Sequence, residues 1–238
     1  MRATVQLADL GALTALRSLG RLPAVGETPG LREARGLVAA PLGARPPVPQ
    51  LGRFGLVAFW DDDEAIDAYL ASDDPLTEAL AAGWSARLEP LRAVPEARGH
   101  FPGIPAELPS GAADGPSDAP VAVLTIGLLR RARVVPFLRA SRRAEAQVAA
   151  AEGFLWGTGL ANVGQAVVST FSLWGSSAAA AGFATTTTGH TRAMAEDGKK
   201  TFHRAGSFVR FRPYAVMGDL VGRNALPAAV TAGITSAL

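Results

Sequence analysis

The chain contains no cysteine among its 238 residues, and it has only three histidines and two tyrosines. Disulfides, zinc–thiolate sites, iron–sulfur clusters and thiolate-ligated haem are therefore excluded, because each requires cysteine sulfur. Any metal centre must use histidine, carboxylate or tyrosine. Lysine is also scarce, since Lys199 and Lys200 are the only two, so arginine accounts for the basic pI of about 9.5. A formal net charge of +2 is too small to predict a nucleic-acid partner.

Long apolar runs are missing as well. The sequence contains no stretch of about 18 consecutive apolar residues, so we expect no transmembrane segment. Residues 1–10 lack the basic start and long apolar stretch of a signal peptide. These features predict a cytoplasmic protein that is at most peripheral to a membrane.

Proline and glycine concentrate in two segments, residues 41–52 and 98–120, which cannot continue a helix or a central strand. We interpret the first as a long hairpin loop and the second as a linker. The predicted domains are an N-terminal half at 1–97, the linker at 98–120, a C-terminal half at 121–214 and a tail at 215–238.

Hydrophobic periodicity predicts the order β-α-β-β-α-β in each half. In the first half we expect strands at 4–7, 30–40, 54–60 and 86–93, and helices at 11–22 and 64–84. The second of these helices is interrupted near Pro75 and has an N-cap within 61–63. In the second half we expect strands at 121–126, 153–161, 166–174 and 207–214, and helices at 134–152, 176–184 and 189–203.

An internal match relates the two halves. Trp60 and Trp174 each end a predicted strand, and each is followed nine residues later by an aromatic, Tyr69 and Phe183. Fixed offsets in two halves favour a duplication. We therefore predict an α+β fold of two tandem ferredoxin-like halves, packed face to face as an intramolecular dimeric α+β barrel. Ordinary core packing at a strand end is the alternative interpretation of both tryptophans.

The second half carries a more specific pattern. A glycine-rich turn at 157–163 is followed by Ser-Thr-Phe-Ser-Leu-Trp at 169–174, Phe-Ala at 183–184, His190 and Phe-Val-Arg-Phe at 208–211. This series resembles the spheroidene monooxygenase family, with spacing that fits without a gap from the histidine to the last strand. The resemblance extends thinly into the first half, through Leu-Pro at 22–23, residues 28–31 and residues 98–100.

The resemblance implies a haem-dependent monooxygenase that hydroxylates, and then ketolates, a carotenoid. It further implies dioxygen and an external electron donor such as a ferredoxin, because the chain has no flavin or nicotinamide motif. Two positions depart from the family pattern: Phe202 replaces a tryptophan of the last helix, and Ala205-Gly206 replaces an acidic pair. Another apolar secondary metabolite is therefore an equally open substrate.

A haem b iron in this chain would need a non-cysteine axial donor. His190 stands where the family has its histidine, and Met194 shares its face of the predicted helix four residues later. We favour His190 as the iron ligand, and a capping or core histidine is the alternative. His100 and His203 are further candidates for the iron, followed by Tyr69 and Tyr214. His203 is otherwise predicted to be a solvated residue at a helix C-terminus, and His100 lies in a loop after the first half.

Two arginines are candidates for the haem propionates, because a guanidinium forms a fork that matches a carboxylate. These are Arg192 and Arg210, and a surface ion pair is the alternative for either. In the last strand Phe208 and Arg210 should point to one face and the residues between them to the other. The predicted haem-binding set matches or flanks the family motifs and comprises His190, Met194, Arg192, Arg210, Phe202 and Trp174.

The substrate is expected to bind in a cavity between the two halves, and no catalytic residue beyond the iron ligand is assigned. One alternative is a haem enzyme of the same fold that performs dehydration or peroxide chemistry, since a fold does not determine a reaction. The other is a non-enzymatic module that binds an apolar ligand. Such a module would bind its ligand without iron and would tolerate replacement of His190.

Overall fold

The protein is seen here in a computed structural model that describes residues 1–42, 50–93, 118–133, 136–137, 147–162, 164–186 and 202–220, with Ala232 and Ile234. The eight named strands form one closed barrel, and every pair of neighbouring strands is antiparallel. Helices pack against its outside.

The strands are β1 (Arg2–Asp9), β2 (Leu31–Pro41), β3 (Arg53–Trp60), β4 (Trp84–Ala93), β5 (Val121–Leu129), β6 (Phe154–Asn162), β7 (Val167–Trp174) and β8 (His203–Met217). The helices are α1 (Ala12–Ser18), α2 (Asp63–Leu70), α3 (Pro75–Ala82) and α4 (Ser177–Thr186). A 3₁₀ turn follows β5 at Arg131–Arg133.

Strand order around the barrel is β1-β3-β2-β6-β7-β5-β8-β4, and β4 returns to β1. The first four strands of the chain are thus arranged as β4-β1-β3-β2, and the last four as β8-β5-β7-β6, which is the same order. Two seams join the four-stranded sheets, one between β2 and β6 and one between β4 and β8. Each sheet has an inner face toward the barrel axis and an outer face toward the helices.

The barrel interior is a packed apolar core. Trp84 lies there against Trp156, with ring centroids 5.1 Å apart, and Phe171 meets Trp84 edge-on. Phe59 and Phe211 contact each other from opposite sheets at 6.2 Å. Apolar side chains of the described residues pack in this interior, and the expected substrate cavity between the halves stays a prediction.

The outer face of the first sheet is covered by α1, α2 and α3. Asp62 caps α2 by accepting a hydrogen bond from the Ala65 amide at 2.9 Å, and α3 begins at Pro75 with Asp74 as its cap. The predicted N-cap and the interruption near Pro75 are confirmed. The predicted helix nevertheless ends too late, because Trp84 belongs to β4 and buries its indole in the barrel.

Two predicted helices of the second half lie mostly outside the described residues. Within 134–152 the described residues 136–137 and 147–149 are helical. Of the predicted helix 189–203, residues 189–201 are not described, and His203 is the first residue of β8. His203 is therefore not at a helix end, because it pairs with Leu129 and extends the β5–β8 ladder.

The two predicted aromatic pairs occupy matching places on the two outer faces. Trp60 contacts Tyr69 with ring centroids 5.2 Å apart and an interplanar angle of 39°. Trp174 contacts Phe183 at 5.4 Å and 37°. Both tryptophans are buried, with exposed fractions of 0% and 3%, so each is a core residue of its own sheet.

A polar cluster around Asp63 of α2 connects this helix to the strands β4 and β8. Asp63 accepts hydrogen bonds from the Tyr214 hydroxyl at 2.5 Å, from Arg2 Nε at 2.9 Å and from Arg87 Nη1 at 3.2 Å. Burial acts to raise the pKa of Asp63, but these donors outweigh it and hold the pKa below its usual value. The cluster thus ties the first helix pair to the last strand through a carboxylate that favours its ionised form.

Candidate active site

The outer face of the second sheet differs from that of the first in being open at its centre. Thr125 and Gly206 are exposed there, and Thr170, Val123 and Phe208 are half-buried. On the first sheet the residues of β3 that point to the outer face are all fully buried: Phe54, Leu56, Ala58 and Trp60. Among the described residues, the second sheet is therefore open at positions where β3 of the first sheet is covered, and a ligand could lie on that open surface.

Side chains on this open face stand in three rows across β8, β5, β7 and β6. They are Gly206–Gly127–Val168–Ala161, Phe208–Thr125–Thr170–Gly159 and Arg210–Val123–Ser172–Gly157. Glycines occupy four of these positions, and β6 contributes only glycine or alanine. The face is thus a shallow floor with few projecting side chains.

Gly206 and Gly127 are direct partners on neighbouring strands. A glycine inside a strand weakens the sheet, and it commonly marks a place where a ligand or another group approaches the backbone closely. A Cβ at Gly206 would have only the Ile126 carbonyl oxygen within 4 Å, at 3.8 Å, whereas a Cβ at Gly127 would be 2.5 Å from His203 Cδ2. Gly127 therefore makes room for His203, and Gly206 faces open space.

His203 lies at one end of this floor. Its ring covers Gly127 and meets the ring of Phe137 edge-on, with centroids 5.0 Å apart. The side chain is half-buried. The described part of the chain contains this histidine alone, and His100 and the predicted ligand His190 lie outside it.

Phe202 and Trp174 bound the floor at opposite ends. Phe202 is 3% exposed and packs in a small cluster with Leu129 and Ala166. Trp174 is held under α4, and its indole N–H donates to Ser172 Oγ at 2.9 Å. Both residues border the open surface as buried walls.

Arg210 stands on the opposite side of the floor from β6. The strand alternation predicted for it is confirmed, because Val209 and Phe211 are fully buried in the barrel and the Arg210 guanidinium lies 5.8 Å from the Phe208 ring centroid. Burial, and then the positive charge of Arg92, lower the pKa of Arg210. Arg92 lies over the same ring at 5.5 Å.

The structure thus brings three of the predicted site residues, Arg210, Phe202 and Trp174, to one face of the second sheet. His190, Arg192 and Met194 are outside the described residues. Sequence analysis missed Arg92, which comes from the other half, and it missed the two threonines. Glycines within predicted strands were the signal that could have identified the floor.

The described residues contain neither a cluster of metal ligands nor a helix that could span a membrane. No group of three or more histidine, aspartate or glutamate side chains lies close enough to hold a metal ion by itself. No described helix is both long and apolar enough to cross a membrane.

An eight-stranded antiparallel barrel with helices on its outside places the molecule among the α+β barrel proteins. Similar solved structures include an aldoxime dehydratase (13% identity, 89% of this chain and 80% of that one, TM-score 0.44). They also include a ferredoxin-fold protein related to antibiotic biosynthesis monooxygenases from Listeria monocytogenes (13% identity, 89% of this chain and 94% of that one, TM-score 0.34). A haem-degrading enzyme from the same species is similar as well (12% identity, 88% of this chain and 98% of that one, TM-score 0.32). Similarity this distant carries no information about the reaction.

No family model matches the chain. The chain is 31% identical to the spheroidene monooxygenase of Rubrivivax gelatinosus over 206 residues, which cover 86% of this chain and 77% of that protein. It belongs to the spheroidene monooxygenase family.

Proposed function

We propose that this protein is a haem-dependent monooxygenase that hydroxylates or ketolates an apolar substrate on the outer face of the second sheet. The observation that carries the proposal is the open, glycine-rich floor of β5–β8, bordered by an imidazole at one end and by arginines at one side. Membership of a monooxygenase family supports the type of reaction.

The residues on this face fit a haem in three respects. A floor of glycine and threonine lets a planar molecule approach the backbone. Histidine is the axial donor that a chain without cysteine can offer, and His203 lies on the face itself. Arg210, half-buried beside Phe208, is a suitable partner for a propionate.

His190 remains our proposed axial ligand. It lies in the chain between α4, which ends at Thr186, and β8, which begins at His203. Both of these elements border the open face, so the described residues on either side of His190 in the chain lie beside it. Met194 and Arg192 of the same segment are proposed as an apolar wall and a second propionate partner, and His203 is the competing candidate for the iron.

A bound haem would supply the activation of dioxygen. The protein would orient the substrate through apolar contacts with Phe208 and Val123. Thr125 and Thr170 are paired across β5 and β7 on the open face, where a hydroxyl can donate a hydrogen bond to a polar atom or hold a proton near it. Electrons would come from an external donor such as a ferredoxin.

The substrate class follows from the family. The relative is named for oxygenation of spheroidene, and we propose a carotenoid or another apolar secondary metabolite for this chain. Half-buried apolar side chains on the open face, Phe208, Val123 and Val168, are suited to an apolar molecule.

We also infer that the barrel consists of two tandem ferredoxin-like halves, residues 1–97 and 121–214, connected by 98–120. Identical strand order in the two sheets supports this inference. The matching contacts of Trp60 with Tyr69 and of Trp174 with Phe183 support it independently.

An absorption spectrum of the protein titrated with haem tests the proposal. We expect a Soret band in the wild type that shifts or disappears in His190→Ala and persists in His100→Ala, the matched control. Loss of the band in His203→Ala alone would transfer the ligand role to His203. Absence of a band in the wild type would overturn the haem proposal and favour a module that binds an apolar ligand.

Turnover then separates the possible reactions. A monooxygenase requires both dioxygen and a reductant, and one oxygen atom of the product should carry label from ¹⁸O₂. Product formation without dioxygen would instead indicate dehydration. Product formation with peroxide alone would indicate peroxide chemistry.

A further inference from the structure

Four exposed arginines lie at the end of the open face where His203 covers the floor. Three of them follow β5 in and just before the 3₁₀ turn, and the fourth is the second residue of β8. The two segments are in contact, because the amide that follows Leu129 donates to the Phe202 carbonyl at 2.9 Å, and Leu129 pairs with His203. We call these residues the arginine patch: Arg130, Arg131, Arg133 and Arg204.

No carboxylate among the described residues pairs with the arginine patch. Arg131 donates to a neutral acceptor, the Gly164 carbonyl, at 3.2 Å. Arginines of the first half are neutralised, by contrast, as in the ion pair of Arg53 with Asp9 at 2.8 Å. The patch is therefore a local excess of positive charge on the surface.

The negative charge of the second half lies at the opposite end of its strands. Between residues 118 and 220 the described acids are Asp118, Glu152 and Asp219. The first two come shortly before β5 and β6, and the third follows β8. Because neighbouring strands are antiparallel, all three positions are remote from the end that carries the patch. The described part of this half is thus polarised along its strands.

The chemistry of the patch fits an acidic protein better than a lipid surface. Large apolar side chains that are exposed occur elsewhere in the described structure, at Leu13, Leu16, Val25, Leu51 and Met217. Binding to a lipid surface uses apolar side chains together with positive charge. Redox partners instead form small, transient interfaces, and opposite charges steer and orient them.

We propose that the arginine patch is the docking surface for an acidic electron-transfer protein. This inference rests on the monooxygenase reaction proposed above, which requires an external reductant. Phe202 and His203 separate the patch from the floor, so a protein docked there would lie beside the ligand on the open face. Each encounter oxidises the partner by one electron and reduces the acceptor on the open face by one. Two encounters supply what the reaction consumes when one oxygen atom enters the substrate and the other leaves as water.

Calorimetric titration with an acidic plant-type ferredoxin tests the docking surface without turnover. The purified full chain is titrated with and without added haem. The variant combines Arg130→Glu with Arg133→Glu and leaves Arg131, which has a structural hydrogen bond, intact. The matched control combines Arg17→Glu with Arg21→Glu, two exposed arginines at the end of α1 and just after it, and makes the same change in net charge on the first half.

We expect the wild type to bind the ferredoxin with an affinity that falls as salt rises, because salt screens exposed charges. The patch variant should bind about tenfold more weakly, and the control should stay within about twofold of the wild type. Both variants should keep the Tm of the wild type, since the altered side chains are exposed. Absence of salt-sensitive binding in the wild type, or equal weakening in both variants, would overturn the docking surface.

Reduction of the haem-loaded protein separates this inference from the haem proposal. Ferredoxin should reduce the patch variant about tenfold more slowly than the wild type at low ferredoxin concentration, whereas dithionite should reduce both equally fast. If the wild type binds haem but ferredoxin reduces both proteins at one rate, the docking surface is wrong and the haem proposal stands. If the wild type shows no Soret band, weaker ferredoxin binding by the patch variant would still support the surface.

Cosedimentation with vesicles of equimolar phosphatidylglycerol and phosphatidylcholine tests the lipid alternative. We expect the patch variant and the wild type to behave alike with these vesicles. Vesicle binding that the patch variant loses, together with no ferredoxin binding by the wild type, would assign the patch to a membrane surface and overturn the proposal.

Discussion

Gly206→Ala separates a structural role of the glycine floor from a role in ligand binding. If Gly206 is only a structural residue of β8, alanine should raise the free energy of unfolding, because glycine in a strand costs about 0.5–1 kcal/mol of stability relative to alanine. If the floor receives a planar ligand, the added methyl group should obstruct it. A structural role therefore predicts a change in stability alone, and a binding role also predicts a loss of affinity for the ligand.

The local geometry sets the size of the stability effect. A Cβ at Gly206 meets only the Ile126 carbonyl oxygen, at an ordinary contact distance of 3.8 Å, so the folded state gains no strain. We expect the free energy of unfolding of the ligand-free protein to rise by about 0.5–1 kcal/mol, which corresponds to an increase in Tm of about 1–4 °C. Affinity for haem should fall by about tenfold, or ~1.4 kcal/mol, because a ligand lifted from the floor loses many small dispersion contacts.

Thermal denaturation without ligand and haem titration by absorbance measure the two effects separately. Gly20→Ala is the matched control, since a Cβ there also meets a single atom, the Arg17 carbonyl oxygen at 3.7 Å, and Gly20 lies after α1 on the first half. The control should leave haem affinity unchanged. Unaltered haem affinity in Gly206→Ala, together with higher stability, would refute the assignment of the floor as the ligand site.

Three further predictions concern stability. Thr4→Val removes the acceptor of the buried Trp60 indole N–H (3.0 Å) and should lower the free energy of unfolding in urea by about 1–3 kcal/mol, whereas Thr4→Ser should cost less; equal stability of the two variants would contradict this. The folded-state pKa of Asp63 is lowered, so its carboxylate stabilises the fold above its unfolded pKa of 3.8 and loses that effect as pH falls through the folded pKa. Near neutral pH the free energy of unfolding of Asp63→Asn should therefore be lower than that of the wild type by under about 1 kcal/mol, because both side chains of the Arg2–Asp63 ion pair are about one-third exposed. A stability difference between the two proteins that grows as the pH falls would be inconsistent with this. Gly218→Ala should lower Tm, because φ is +77° and the methyl group would overlap the Gly83 carbonyl oxygen, and an unchanged Tm would show that the turn can relax.

Much of the architecture could be predicted because local patterns determine it. Proline and glycine separate the strands, and the uninterrupted apolar run of β3 reflects burial on both of its faces, one in the barrel and one under the helices. Strand alternation correctly predicted that Phe208 and Arg210 share a face. The two aromatic residues that follow the tryptophans at a nine-residue offset, Tyr69 and Phe183, each contact the tryptophan that precedes them.

What sequence analysis missed depends on long-range pairing. Arg92 reaches the site only through the register of the β4–β8 seam, which no local pattern reveals. Sequence analysis assigned His203 to the end of a helix, but it belongs to β8 and pairs with Leu129 of β5, about 70 residues earlier in the chain. Local sequence patterns give no sign of such a distant partner. Sequence analysis also gave no sign that Trp84, Trp156 and Phe171 would meet inside the barrel, because they come from three strands that lie far apart in the chain.

The two seams that close the barrel differ in length. β4 and β8 pair along 85–93 and 209–217, but β2 and β6 pair only along 38–41 and 158–161. Two side-chain hydrogen bonds reinforce the short seam, from Thr158 Oγ1 to the Ala40 carbonyl at 3.2 Å and from Asn162 Nδ2 to the Gly36 carbonyl at 3.1 Å. Amide protons of the short seam should therefore exchange with deuterium first. If the barrel opens first at the β2–β6 seam, the longer β4–β8 seam stays paired, so Arg92 and Arg210 would remain side by side after the barrel has opened.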